Sequence, residues 1–321
     1  MRDATIPIGT VDGEVVPLAR PARKKHGGRF GEYEVVAPLA RGGMGGVYLA
    51  AHESTREKVA IKVVDRHLAS HPEVVERLHS EHRIASSASH PCLVQIRDAR
   101  MTADGMPYLV MEYLDGETLG AIADRGPIEL GQAVAICAQV ASAVAALHDA
   151  GVMHCDVKHD NVFVLDEYEG GWPRVKVIDF GVSRRVDEVI DDTTIAGTPW
   201  CMAPEQWRGK PLPASDVYSL GCLLYDLTTG APPFDGSLPA LMTAHLEQRP
   251  ARPSWLVPMP MELERVILRA LAKAPEDRPS MAEVARSLTL LADAFSEARR
   301  EGQELRVNED ALRERAPQRV A

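Results

Sequence analysis

The stretch His154-Cys155-Asp156-Val157-Lys158-His159-Asp160-Asn161 decides the fold, read together with Asp179-Phe180-Gly181, which begins 23 residues after Asp156. It sets two carboxylates, Asp156 and Asp179, near a lysine and an amide, Lys158 and Asn161. Either tripeptide alone is a weak signal, so the weight falls on what stands upstream.

Toward the N-terminus, Ala40-Arg41-Gly42-Gly43-Met44-Gly45-Gly46-Val47 lies between two predicted strands. A glycine-rich hairpin lets backbone N–H groups approach phosphate without side-chain obstruction. An ordinary tight hairpin gives the same pattern. On the next strand, Val59-Ala60-Ile61-Lys62 ends an apolar run in a lone lysine, a point charge suited to α- and β-phosphates. That lysine needs an anionic partner, and Glu81, on a helix predicted over residues 74–87, is the best-placed carboxylate. Glu76, about one and a half turns earlier, is its rival. The combined set is what phosphoryl transfer from a nucleotide requires: one carboxylate to orient a hydroxyl, a carboxylate and an amide for Mg²⁺, and lysine for the moving phosphate.

The chain has 321 residues, 45% hydrophobic and 26% charged, enough to bury a sizeable core in one two-lobed domain. Its net charge of −10 argues against nucleic-acid binding and suits basic peptide substrates. The five cysteines (Cys92, Cys137, Cys155, Cys201, Cys222) are odd in number and show no Cys-x-x-Cys spacing, which points to reduced thiols and a cytoplasmic location. No apolar run reads as long enough to span a bilayer, and the N-terminus lacks a basic-then-apolar signal.

Residues 1–31, with Pro7, Pro17, Pro21 and the basic group Arg20, Arg23, Lys24, Lys25, read as a flexible N-terminal tail. Residues 32–113 read as a small antiparallel sheet with one key helix, built on short β-like runs at 35–36, 47–49, 59–61, 93–94 and 108–111. Residues 114–294 read as a larger, mainly helical lobe. Val134, Cys137, Val140, Val144 and Leu147 form one apolar stripe there, with further helices expected over 216–229, 239–247, 261–273 and 280–298. Residues 295–321 read as a charged C-terminal tail. The expected class is α+β and bilobal.

In this order the motifs resemble those of bacterial eukaryotic-like (Hanks-type) serine/threonine protein kinases: the glycine loop, Lys62, Glu81, His154-Cys155-Asp156, Asn161, Asp179-Phe180-Gly181, Ala203-Pro204-Glu205, Asp216 and Arg278. The resemblance covers about residues 32–294. It implies the protein-kinase fold and a non-specific serine/threonine kinase that moves the γ-phosphate of ATP to Ser/Thr hydroxyls of protein substrates. ATP and Mg²⁺ are its implied cofactors, and self-association for autophosphorylation is implied as well.

The resemblance also implies roles. Asp156 accepts or orients the hydroxyl proton, Lys158 neutralises the γ-phosphate, and Lys62 with Glu81 completes the catalytic set. Asn161 and Asp179 hold the metal. Ala40, Gly42, Gly43, Met44 and Gly45 cover the phosphates. Val47 and Ala60 take one face of adenine, Phe163 the other; Met111 guards the back, while Glu112 and Leu114 offer backbone hydrogen bonds. Thr198 bridges Asp156 and Lys158, and Glu205 pairs with Arg278. Lysine two residues after Asp156 marks the Ser/Thr branch. Two alternatives compete: a nucleotide-binding pseudokinase scaffold, and a small-molecule phosphotransferase. The segment from Gly197 to Glu205, a peptide platform in the family, favours protein substrates.

Two positions depart from the family pattern. Ala40 stands where the loop's first glycine is usual, and Cys155 where an arginine commonly pairs with a phosphorylated activation loop. Without that guanidinium a phosphate on Thr193 or Thr194 lacks its bidentate partner. Activity is therefore expected to survive replacement of both threonines by alanine; in a phosphotransfer assay, a loss on the order of a hundredfold or more would contradict this.

Overall fold

The chain divides into two units: residues up to Ser86 together with Gln95–Leu114, and Ser87–Val94 together with everything from Asp115 onward. The computed structural model describes residues 10–11, 14–15, 28–42, 45–187 and 197–302. Gly43, Met44, Thr193, Thr194 and most of the two expected tails lie outside the described residues.

The first unit opens with a short antiparallel pair, β1 (Thr10–Val11) and β2 (Glu14–Val15), separated in sequence by Asp12-Gly13. The tail reading missed this pair, although Asp-Gly between β-formers is a hairpin signal. Next come β3 (Arg29–Phe30), β4 (Tyr33–Gly42), β5 (Gly45–His52), β6 (Lys58–Val64), the helix α1 (Pro72–Ser87), β7 (Ile96–Met101) and β8 (Pro107–Glu112). Their sheet is wholly antiparallel in the order β3-β4-β5-β6-β8-β7. It begins before residue 32 because the Phe30 ring packs on Tyr108, 5.2 Å between centroids, and on Tyr48. Central β6 is apolar at five of its seven positions, and those five are buried. Ala50, Val59, Ile61, Val63, Tyr108 and Val110 form the core.

In the second unit follow β9 (Gly116–Thr118), α2 (Leu119–Ala123), α3 (Leu130–Asp149), β10 (Val152–Met153), β11 (Val162–Glu169), β12 (Trp172–Val177), β13 (Arg184–Arg185), α4 (Pro213–Thr229), α5 (Leu238–Glu247), α6 (Met261–Ala270) and α7 (Met281–Glu301). A three-stranded sheet runs β12-β11-β9 and a two-stranded one joins β10 to β13. Residues 87–94, expected in the first lobe, belong here. Val94 N–H donates to the Val177 carbonyl (3.0 Å) and Val177 N–H to that of Cys92 (2.7 Å), so the expected strand at 93–94 is a single bridge onto β12's end.

Helix α3 corrects the expectation about apolar runs. By length and composition alone, Leu130–Asp149 could cross a membrane. In the structure Ala133 to Cys137, Val140, Val144 and Leu147 are buried against α4, α7 and β12, which accounts for the composition without a bilayer. Its partner α7 runs through the expected boundary at 294 to Glu301. Gly131 explains the fit: a Cβ there would lie 2.8 Å from the Trp172 ring and 3.1 Å from Phe295, so only glycine lets α3 approach so closely.

One ion pair ties the second unit together. Arg278 Nη1 and Nη2 reach the two Glu205 oxygens at 2.6 and 2.9 Å, while its other N–H groups go to the carbonyls of Ala272, Ala214 and Lys273. All five guanidinium donors are thus used. Arg278→Ala is expected to destabilise the protein by about 3–5 kcal/mol, because the Glu205 carboxylate would stay buried without its partner; equilibrium denaturation with wild-type-like stability would refute this.

Candidate active site

In the first unit, register gathers the predicted residues on one face. Val47 on β5 pairs directly with Lys62 on β6, and Ala60, two residues before Lys62, pairs with Met111 on β8. Directly opposed residues, and residues two apart on one strand, share a face of the sheet. Val47, Ala60, Lys62 and Met111 therefore share one. At the end of β8, Glu112 N–H donates to the Gln95 carbonyl (3.0 Å), and Leu114, half-buried, closes the unit.

Helix α1 buries Leu78, Glu81 and Ile84 at three-residue spacing, so a carboxylate sits in an otherwise apolar stripe. Such a group must be paired. Lys62 Nζ lies 2.9 Å from both Glu81 oxygens, a bidentate contact. Glu76 points elsewhere: it is exposed and pairs with Arg83, which settles the choice between the two glutamates.

The glycine loop is only partly described. Ala40 pairs with Val47, and Gly42 with Gly45, as the ends of the β4–β5 hairpin. Gly45 has φ +154°, and a Cβ there would sit 1.8 Å from the Val63 carbonyl oxygen. Packing against β6 alone thus requires glycine at this position.

In the second unit the catalytic loop hangs on Asp216, at the start of α4. Its carboxylate is buried, accepting from His154 N–H (2.8 Å) and Cys155 N–H (2.7 Å), with His148 Nε2 at 2.8 Å. Burial works against this charge, but His148, together with His154 and its backbone N–H, prevails and holds it below the usual carboxylate range. Cys155 adopts the left-handed conformation, φ +66°. A non-glycine residue there costs about 1–3 kcal/mol, and hydrogen bonds to a charged group contribute about 1.5–3 kcal/mol each, so Asp216 outweighs the strain. The Cys155 carbonyl takes Gln206 Nε2 at 3.0 Å. The cysteine itself is buried.

The loop then turns Asp156 outward, half-buried. Thr198 Oγ1 donates to Asp156 Oδ1 (2.5 Å) and accepts from Lys158 Nζ (2.8 Å); Lys158 also pairs with Asp156 Oδ2 at 2.8 Å. Burial disfavours the Lys158 charge, yet Asp156 beside it, with Asp160 further out, leaves the ammonium above its ordinary range. Asn161 Nδ2 donates to the Asp156 carbonyl (2.9 Å) and to Oδ2 (3.1 Å).

The strands β11 and β12 place the remaining groups. Val162 pairs with Val177, and Ile178 N–H donates to the Asn161 carbonyl (2.9 Å), which sets Asn161 beside the segment leading to Asp179. Asp179 is exposed, with φ +65°, and its Oδ1 accepts from Gly181 N–H (3.2 Å). Phe180 is buried, its ring 5.8 Å from that of His154. Phe163 is half-buried on β11.

Sequence reasoning missed three supports: His148, Gln206 and Ser219, whose Oγ holds the Cys201 carbonyl at 2.8 Å. A histidine in the last turn of α3 carried only a helix-end signal, and the other two carried none.

Comparison with known proteins agrees with this layout. Residues 33–288 match the protein kinase domain, and the chain belongs to that family. It is 41% identical over 276 residues to the serine/threonine-protein kinase Pkn1 of Myxococcus xanthus, covering 84% of this chain and 39% of that protein. Against the serine/threonine-protein kinase pkn3 of the same organism it is 38% identical over 265 residues, 78% of this chain and 48% of the relative. The serine/threonine-protein kinase PknB of Mycobacterium leprae is 38% identical over 256 residues, 77% of this chain and 40% of that protein. The chain thus spans less than half the length of these curated relatives. The fold is the protein-kinase fold, and membership of the family carries the use of ATP with it.

Proposed function

We propose that this chain is a serine/threonine protein kinase that uses ATP and Mg²⁺. The observation that carries the proposal is the fixed orientation of Asp156. A carboxylate has about four lone-pair sites; Thr198 takes one on Oδ1, while Lys158 and Asn161 take two on Oδ2. The site left on Oδ1 is aimed by three fixed partners, as a group that must receive an incoming hydroxyl requires.

The donor chemistry fits a hard cation. Asn161 spends its amide nitrogen on Asp156, which leaves the amide oxygen as an acceptor, and Asp179 is an exposed carboxylate next in sequence to Ile178, whose N–H donates to the Asn161 carbonyl. An amide oxygen, a carboxylate and phosphate oxygens form a normal Mg²⁺ set. When bound, Mg²⁺ would neutralise charge on the phosphates.

Asp156 orients the substrate hydroxyl, whose oxygen forms the new bond to the γ-phosphorus as the bond to the β-phosphate oxygen breaks and ADP leaves with that electron pair. The hydroxyl proton passes to Asp156, and Lys158 meets the charge on the moving phosphoryl group. Lys62, held by Glu81, takes the α- and β-phosphates. Val47, Ala60, Met111, Glu112 and Leu114 in the first unit and Phe163 in the second are the proposed adenine contacts, with Ala40, Gly42, Gly43, Met44 and Gly45 over the phosphates. Autophosphorylation through self-association belongs to the same proposal. A cytoplasmic location is supported by the five cysteines, all free thiols.

The test is incubation with labelled ATP and a generic basic protein. Wild type should transfer label, and Asp156→Asn should lose about a hundredfold or more of the rate. Equal incorporation by the two would refute the assignment.

A further inference from the structure

One constellation at the edge of the catalytic loop is not used by the chemistry above. The His159 ring stacks on Trp200, 4.8 Å between centroids at 23°, and its Nε2 lies 2.7 Å from Asp226 Oδ2. Asp226 belongs to α4, the helix that also carries Asp216. Three separate pieces of chain, the catalytic loop, the 197–201 segment and α4, therefore meet at one imidazole.

Trp200 sits inside a tight turn. Cys201 N–H donates to the Thr198 carbonyl (3.1 Å), closing Thr198-Pro199-Trp200-Cys201, and proline at the second position stiffens it. The turn is gripped at its far end by Ser219, which holds the Cys201 carbonyl. At its near end Thr198 bridges Asp156 and Lys158. The Trp200 ring is the third grip. Behind the turn stands His245, bonded through Nδ1 to the Tyr218 hydroxyl at 3.0 Å, with Lys273 on the same hydroxyl at 3.1 Å. A shift of the indole in so short a turn moves Thr198, and with it the carboxylate that Thr198 holds.

We propose that His159 is a positioning residue: by stacking on Trp200, it keeps Thr198 in register on Asp156 and Lys158. This rests on the kinase reading. The stack carries the effect, and Asp226, 21% exposed, can be hydrated when the imidazole beside it is removed. A stacked aromatic pair contributes about 0.5–1.5 kcal/mol beyond its buried area, and a tenfold rate change corresponds to about 1.4 kcal/mol.

The experiment is a steady-state series on His159→Ala, His159→Phe, Thr198→Val and the double variant His159→Ala/Thr198→Val, each checked by thermal melting. His159→Ala should lower kcat for a protein substrate about tenfold and leave KM for ATP within about twofold. His159→Phe, which keeps a stacking ring, should stay within about threefold of wild type. In the Thr198→Val background the alanine change should add nothing, since both act through one contact. Tryptophan emission should shift in His159→Ala, and that shift should vanish when Trp200 is also replaced by phenylalanine. Independent multiplication of the two kcat losses, or equal loss in the alanine and phenylalanine variants, overturns the proposal. So does an unmoved kcat. If His159→Ala does not fold, the phenylalanine variant decides by the same threshold. An inactive wild type would instead overturn the kinase reading and this proposal with it.

Discussion

A carboxylate cut off from water is costly unless donors surround it, and Asp216 turns that constraint into architecture. Its partners are the His154 and Cys155 N–H groups and the His148 ring, so α3, α4 and the catalytic loop are joined at one buried charge. With those donors fixed, Cys155 is held in a left-handed conformation immediately before Asp156. The direction of the Asp156 carboxylate is in this sense set by a residue of α4.

The same logic repeats outward. Glu205, buried, consumes Arg278 and Ser215, and so fixes the segment that leads into α4. Glu81, buried on α1, consumes Lys62 and so fixes a strand lysine. Each of these acids is expensive alone and specific when paired. The exposed pairs, such as Arg29 with Glu53, contribute little by comparison. Cys155 fits this picture: its backbone N–H is held by Asp216 and its carbonyl by Gln206.

Much of this was legible in the sequence because the chemistry needs particular residue types at fixed order. Lys62, Glu81, Asp156, Lys158, Asn161 and Asp179 carry the motif, and the two-lobed α+β layout follows from short β-like runs giving way to helical stripes. Where the reading failed, the controlling contact was distant or ambiguous. Residues 93–94 looked like a strand, yet their partner Val177 lies far along the chain. The α3 stripe, read as a buried helix, is buried as expected against α4, α7 and β12. Helix α7 runs on past residue 294, where a charged surface covers a buried face that continues to Ser296. His159 carried no signal at all, since a stack needs a partner that only folding supplies.

The central claim is that a fixed Asp156 directs an alcohol oxygen onto the γ-phosphate of ATP. The most direct measurement uses three peptides identical except for Ser, Thr or Tyr at one position, incubated with ATP and Mg²⁺ and read by mass spectrometry. The account predicts one added phosphate on the Ser and Thr peptides and none on the Tyr peptide. Phosphate on the Tyr peptide alone, or ATP turned over with no peptide modified, would contradict it.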